Sequence, residues 1–591
     1  MPLVLSVGVT GHRAESLPAD GIESLRQKIR EVLLLIADAG NALLKAEADC
    51  FAPVAARLRF VSPIADGADQ IAAEAALELG WDLQVVLPFA RAEYRASLSD
   101  DPARENFDAL IEQASCVLEL PGQTDNQLDA YVMTGRATVA HCDMLIAVWD
   151  GLPPRGRGGT GEVVQLAITH GTAVIHLPLD PAVAPRLLWS AFDPAVLTLA
   201  DEPTAERPLD RPGMDALVQG LLMPPPNEQE QDFLKRFTRE RLRHIRTRIE
   251  YPLLLAAAGV KRFGAKDFAN KHAEAQIRDE WRDYRQGCAE PLQISAPMDL
   301  LEQAYSWADR LATHFAQTYR SGHIFNFVLG GFAVCVGLSA FMAPHLKFEF
   351  AALELVITFA IILNASVGSR NEWHRRWLDY RQLAERLRPM RSLKLLGIAA
   401  PDPPGTATNP VPRRWIDWYA SGVWRAMGCP SGAIDTERAA CLGKAIAAFE
   451  IAPQVSYHHH HSHQIESLDR RLEWIGTILF AATLLTSIAT LVGIAVGADF
   501  VNRYGNWFTL VSAGFPALGT AVFGIRFQAD FGGDALRSLA TANTLDQIEQ
   551  ELNRGVTLSR AADLTEQAGR IMLGDLDEWR LVNQQRDLSV G

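Results

Sequence analysis

The chain predicts an N-terminal α/β domain, a Rossmann-like doubly wound parallel sheet, followed by an α-helical membrane region with four transmembrane helices in two hairpins. Three observations predict it. Short apolar strands alternate with helical segments through residues 1–180. Three of the strands end in polar, glycine-bearing turns. Four later segments are apolar over a length that crosses a bilayer core of about 30 Å at about 1.5 Å per residue. A chain of 591 residues, 48% hydrophobic and with formal charge −14, has room for several domains of mixed soluble and membrane character.

The first strand, LVLSVGV, ends in Thr10-Gly11-His12-Arg13, and the second, LRFVSPI, ends in Ala65-Asp66-Gly67-Ala68-Asp69 before the helix QIAAEAALELG. Strand DLQVVLPF, helix PARENFDALIEQA, strand CVLELPG and helix DAYVMTGRATVAHC come next. Strand DMLIAVWD then stops at Asp150, and the chain turns through Pro153, Pro154, Gly156, Gly158 and Gly159 into a helix that begins near Thr160. TAVIHLPL is the last strand. In an open parallel sheet such turns collect at the carboxyl edge, where strand order reverses and ligands bind.

The turn at 150–160 has the makings of a phosphate cradle. Glycines let the backbone approach an anion and aim N–H groups at it, and the helix start adds its positive dipole end. Thr160 is a natural N-cap. Arg13 is either a phosphate ligand or a partner for a local carboxylate, and His12 a ligand or a helix cap. Asp66 and Asp69 flank a turn glycine, where aspartate is common for turn reasons alone, with ribose binding as the functional alternative for Asp69. The first turn lacks G-x-G-x-x-G, and no G-x-x-x-x-G-K-[ST] occurs, so neither a dehydrogenase nor a P-loop ATPase is supported.

GVTGHR, SPIADGADQIAAEAALELG with LPF soon after, and WDGLPPRGRGGTGEVVQLA together resemble the SLOG superfamily of Rossmann-like domains over about 180 residues. That superfamily includes cytokinin-activating phosphoribohydrolases, DNA-uptake proteins and the cytosolic heads of melastatin-type channels. The resemblance implies a nucleotide or nucleotide-derived signal as ligand, with no other cofactor. By motif, Gly158, Gly159 and Thr160 would hold phosphate, and Gly11, His12, Arg13, Gly67 and Asp69 would line the pocket. Asp150 and Glu162 complete the candidate set. The hydrolase members carry P-G-G-x-G-T-x-x-E, with the glutamate three residues after the threonine. Here Glu162 comes two residues after Thr160, so this sole catalytic candidate departs from the pattern, and a ligand sensor is expected rather than a catalyst.

The spans are expected at 324–342, 351–368, 474–497 and 507–525, with Glu354 the one ionised residue inside them. Arginines, among them Arg320, Arg370, Arg375, Arg470, Arg471 and Arg526, flank the outer ends of both hairpins. The positive-inside rule then places both termini and the middle linker in the cytoplasm of an inner-membrane, multi-pass protein. MPLVLSVGVTGHR reads as strand and turn, so no signal peptide is expected. The seven cysteines lack C-x-x-C spacing, mostly sit in apolar surroundings and read as buried thiols, neither disulfides nor zinc ligands.

Each hairpin has a helical approach, two spans and an arginine-rich exit, an internal repeat whose exits read as amphipathic helices with a basic face near the membrane. The exits, DYRQLAERLR above all, resemble SLATT domains, two-helix membrane modules of bacterial conflict systems. That resemblance implies a pore that acts on the host membrane when a nucleotide signal binds. Small-xxx-small sets (Ala333 and Gly337; Ala489, Gly493 and Gly497) suit close helix packing. Thr483, Thr486, Ser487 and Thr490 share a helical face that either packs or lines a pore, and Glu354 either snorkels, pairs with Lys347 or forms an ion-attracting ring in an oligomer. Pro516 is a candidate kink.

The histidine run 458–463 has no partner cysteines or carboxylates at ligand spacing, so no metal is expected. Residues 181–228 read as a Pro- and acid-rich linker and 229–320 as a helical coupling region whose basic start is either a membrane-surface helix, a coupling element or simply a solvated helix face, with 396–465 a second linker and 556–591 a helical tail. The apolar run YPLLLAAAGV is too short to span. Acidic balance argues against nucleic acid, leaving a small nucleotide, lipid and copies of the chain itself as partners. The expected function is a sensor gating an oligomeric membrane effector. The alternatives are a membrane-anchored N-glycosidase and a scaffold with a vestigial nucleotide site.

Overall fold

The computed structural model describes residues 1–17, 21–123, 125–154, 156–180, 182–188, 206–242, 247–268, 271–288, 292–293, 295–401, 414–497 and 499–583. Parts of the two expected linkers (189–205 and 402–413), the middle of the basic stretch (243–246) and the end of the tail (584–591) lie outside the described residues.

The six expected strands form as β1 Val4–Gly11, β2 Arg57–Ser62, β3 Asp82–Leu87, β4 Cys116–Glu119, β5 Met144–Trp149 and β6 Ala173–Pro178. All six are parallel, in the order β6-β5-β1-β2-β3-β4. Their near-continuous apolar runs reflect burial on both faces. Helices α1 Ile22–Ala46, α2 Ala68–Glu78, α3 Arg91–Ala96, α4 Asp101–Gln113, α5 Gln127–His141 and α6 Thr160–Thr169 connect them. Since β2 lies on one side of β1 and β5 on the other, the connections diverge there and open a crevice at the carboxyl ends.

The sheet continues beyond residue 180. β7 Arg186–Leu188 and β8 Glu206–Pro208 add antiparallel strands next to β6. At the opposite edge, β10 Ser431–Ala433 pairs parallel to β4, and β9 Leu292–Gln293 pairs antiparallel to β10. Strands of two or three residues carry no readable alternation, so the sequence holds no sign of them.

Helices α7 Arg211–Leu222, α8 Glu228–Arg239, α9 Glu250–Ala257 and α10 Lys271–Cys288 lead to α11 Ser295–Ser339 and α12 Lys347–Arg370. Then come α13 Trp373–Leu387, α14 Met390–Leu396, α15 Trp415–Met427, α16 Thr436–Ile446, α17 Ala452–Val496, α18 Asp499–Ala529, α19 Phe531–Asn553 and α20 Leu558–Asn583. One face of the sheet is covered by α1, α2, α4 and α7, through Leu33, Ile71, Phe107 and Leu217. On the other face, Val61, Val86 and Leu118 share a core with Leu393 and Trp415 of the helical region as well as with Ala137 of α5. The sheet and the helical region are therefore packed into one core.

Helices α11, α12, α17 and α18 carry the four candidate membrane spans, each long and apolar enough to cross a bilayer. Two of them are far longer than a bilayer requires. α16 runs through a π-helical turn, Ala447–Ile451, into α17, making a helix of 61 residues. The N-terminal half of α11 is buried beside the sheet through Leu301, Tyr305, Ala308 and Leu311. Of the apolar window in the third span, 6% is fully buried within the chain, and the rest is half-buried or exposed.

A structural repeat is present. α11, α12 and α13 share the plan of α17, α18 and α19: a long helix, a second helix against it, one left-handed acidic residue, then a third helix packed on the first. The turning residues are Glu372 (φ 50°) and Asp530 (φ 49°). A non-glycine residue in that region carries strain, and its occurrence at the same step of both repeats marks a required turn.

The α13 exit helix is not a basic membrane-surface helix. Arg375 and Arg376 pair with Glu230 and Glu240 from and just after α8, and Arg381 reaches Glu385 at 2.6 Å and Asp309 at 3.5 Å. Its arginines are neutralised by carboxylates inside the protein because the helix packs along α11. The basic start of the coupling region, α8, likewise inserts Phe233 and Phe237 into the core, where Phe237 meets Tyr380 and Trp415. The histidine run lies within α17, where His461 meets Asp534 at 3.1 Å and stacks on Tyr457.

Inside the spans, the hydroxyls of Thr483, Thr486 and Thr490 donate to carbonyls one turn back in their own helix, at 3.0, 2.7 and 2.8 Å. With Ser487 they are half-buried, in a helix that packs along α18. Glu354 does not meet Lys347 in any contact the structure records; its carboxylate lies against α11, where a Cβ at Gly337 would stand 3.0 Å from Oε2. Pro516 lies inside α18. All seven cysteines are free thiols, but only Cys116, Cys288 and Cys429 are buried as expected; Cys50, Cys142 and Cys335 are half-buried and Cys441 is exposed.

Candidate functional site

A cleft of about 410 Å³ opens between the ends of β1 and β5. Of the expected residues, Gly11, His12, Arg13, Asp69, Asp150, Gly158, Gly159 and Thr160 line it. Turns separated by more than a hundred residues meet here because β1 and β5 are hydrogen-bonded neighbours. The His12 N–H donates to Val148 O at 3.2 Å, locking the end of β1 to β5.

Gly67 does not line the cleft. It has φ 101°, and a Cβ there would stand 2.4 Å from the backbone nitrogen of Ala14, so it serves to seat the segment 12–14 against α2. Gly158 (φ 77°) has a comparable duty: a Cβ would fall 2.8 Å from Tyr131 Cβ and 3.0 Å from Leu128 O, so only glycine lets the loop close on α5. Thr160 is not the N-cap. Gly159 takes that place with no side-chain cap bond, and Thr160 is the first helical residue, because the glycine turn ends one residue earlier than a threonine cap requires.

Glu162 also lies outside the lining. Its Oε2 accepts a hydrogen bond from the Gly158 N–H at 2.5 Å. Placed in the first turn of α6, the carboxylate is held by the loop it was expected to work beside, and the spacing departure seen in the sequence has this geometric result.

Arg13 lies across the cleft floor. Its guanidinium donates to the Tyr131 hydroxyl at 2.8 Å and stands 3.6 Å from Asp66. Burial opposes its charge, but Tyr131, Tyr94 and Asp66 outweigh that and hold its pKa above the ordinary arginine value. Asp69 is 5% exposed, and its Oδ1 has no hydrogen-bond partner among the described residues. Burial, with Asp66 adding to it, pushes its carboxyl up to about 8 against the pull of an Ala65 backbone bond and Arg13. Burial also drives the neighbouring Tyr94 phenol well up. His12 Nδ1 lies 3.3 Å from Val148 O, and Nε2 lies 3.6 Å from Asp150.

The remaining wall is α5, which the sequence did not single out: Tyr131, Thr134, Gly135 and Thr138 face the cleft. Their spacing of three and four residues marks one helix face, but an apolar-to-small pattern of that kind also describes ordinary packing. The site thus combines a glycine turn at a helix start, the guanidiniums of Arg13 and Arg157, the latter 3.0 Å from Asp129, and a buried carboxyl held neutral, a set suited to an anion linked to a hydroxyl-bearing group.

No family model and no curated protein matches the chain.

Proposed function

We propose that the chain is a ligand-gated membrane effector of SLOG and SLATT type. The cleft binds a nucleotide-derived signal, with phosphate at Gly158, Gly159 and the start of α6. The four spans form two hairpins in an inner membrane, both termini cytoplasmic, and assemble with copies of the chain to open or perturb the bilayer of the host cell in bacterial conflict.

The observation that carries this reading is the position of α5. One face lines the cleft, while Arg136 on another pairs with Asp563 at 2.6 Å and Glu566 at 3.0 Å on α20. At its end, His141 Nε2 meets Gly397 O at 2.9 Å and Nδ1 meets Lys394 Nζ of α14 at 3.2 Å. A ligand with different affinities for two positions of α5 therefore biases the helices that lead to the spans.

The test is calorimetric titration of the full chain in detergent with nucleoside mono-, di- and triphosphates and cyclic nucleotides, followed by mass spectrometry of the bound material. Gly159→Asp is the control, since the nearest atom to a Cβ there is 3.8 Å away and the fold accepts the side chain. An intact ligand that binds the parent and not the control, and that triggers dye release from proteoliposomes, supports the reading. A cleaved ligand turns it towards the glycosidase, and no binding to the parent leaves a scaffold.

A further inference from the structure

The apolar run 251–260 is too short to cross a bilayer, and α9, which it forms, lies where all four candidate spans begin or end. The Tyr251 N–H donates to Ser321 Oγ at 3.1 Å, at the start of the first span. Arg248, just before α9, donates to Asn364 near the end of the second. Arg471, at the start of the third, donates to the carbonyl of Ala258, which packs with Ile324, Leu472 and Ile525, the last of these at the end of the fourth. α9 therefore lies beside the ends of all four candidate spans.

Its surface does not suit water. Tyr-Pro-Leu-Leu-Leu-Ala-Ala is apolar on every side, a pattern that in a soluble protein goes with full burial. Here Leu253 is 43% exposed and Leu254 and Leu255 are half-buried. The loop after it adds Phe263 and Phe268, stacked edge to face at 5.3 Å and exposed. Beside them are Arg262, exposed, and Lys261, whose ammonium lies 3.3 Å from Asp267. Aromatic and leucine side chains flanked by cations are the composition that lodges at the boundary of headgroups and acyl chains.

We propose that α9 and the loop to Phe268 form an interfacial membrane element: Leu253, Phe263 and Phe268 lie among the upper acyl chains of the leaflet at the sheet-domain end of the spans, and Lys261 and Arg262 contact anionic headgroups. The chain running from α8 to α11 thereby passes through lipid before it enters the first span. This assignment rests on the spans crossing a membrane and is independent of any ligand at the cleft.

The test uses the full chain in phosphatidylcholine–phosphatidylglycerol nanodiscs, with p-benzoylphenylalanine replacing Phe263, Phe268 or, as a control exposed at the start of α5, Leu128. Illumination and peptide mass spectrometry are expected to find phospholipid adducts at 263 and 268 and none at 128. Adducts to a second copy of the chain, or no lipid adduct at 263 and 268, would overturn the proposal. Native mass spectrometry of the double variant Lys261→Glu, Arg262→Glu is expected to retain about half as much phosphatidylglycerol as the parent or less; unchanged retention would overturn the headgroup contact.

Discussion

The carboxyl of Asp69, in the cleft, behaves unlike a surface acid. Asp69 keeps its proton to about pH 8 in the folded chain, against an ordinary value of 3.8. Between those values the unfolded chain has released a proton that the folded chain retains, so this contribution to stability is full below about pH 4 and is lost as the pH rises towards 8. Asp69→Asn removes the titration with little change of shape. Melting curves should show the variant equal to the parent near pH 4 and more stable near pH 8, by on the order of a few kcal/mol; parallel curves across that range would count against a neutral, buried Asp69. Glu162, outside the cleft lining, is a carboxylate that accepts the hydrogen bond of a loop amide. Glu162→Gln keeps an acceptor for Gly158 and removes a negative charge beside the proposed phosphate site. Nucleotide affinity should rise about three- to tenfold, roughly 0.6–1.4 kcal/mol, and titration of the full chain reads it. Product formation lost with Glu162→Gln would point instead to catalysis.

At the scale of elements, the helical region is held by ionic contacts that its sequence does not display. Arg391 and Glu450, each 1% exposed, meet at 2.5 Å, and Arg391 also reaches Glu280 at 2.9 Å and lies over the rings of Trp281 and Tyr284. Glu450 belongs to the π-helical turn between α16 and α17, so the pair ties α14 to the helix that becomes the third span. Glu450→Ala leaves the guanidinium buried without its main partner and should destabilise the protein by about 3–5 kcal/mol, read by denaturant titration in detergent. Replacing both residues by methionine should be far milder, because it removes the buried charge as well as the contact. The sequence identified the elements themselves well: all six parallel strands and all four apolar helices occur where the periodicity and hydropathy place them. It misjudged α13, because an arginine-rich amphipathic helix reads the same whether its cations face lipid headgroups or the carboxylates of Glu230, Glu240 and Asp309.

At the scale of the whole molecule, the sheet cannot be separated cleanly from the helical region. Val61, Val86 and Leu118 are covered by helices from the C-terminal half, and the edge of β4 is occupied by β10. A fragment of residues 1–228 would expose that apolar face together with an open strand edge, the combination that drives self-association. The fragment should elute as oligomers or aggregate on size-exclusion chromatography; a monomer melting as cooperatively as the full chain would show the sheet domain to be self-sufficient. The same continuity lets one helix, α5, touch the cleft, α14 and α20.

The sequence by itself determined the strand-and-helix alternation, the glycine turns and the four apolar helices, because each is written in local composition and period over ten to twenty residues or so. It also brought most of the cleft within reach, since parallel strands place their succeeding turns on one edge. Tertiary structure alone decided the rest: that β9 and β10 return from far along the chain to extend the sheet, that Tyr131 and Thr134 complete the cleft, that Glu162 is bound to Gly158, and that α9 lies beside the span ends. These are contacts whose partners are chosen by the packing of the whole chain, and a partner's identity is not encoded in the period or composition of either segment that makes the contact.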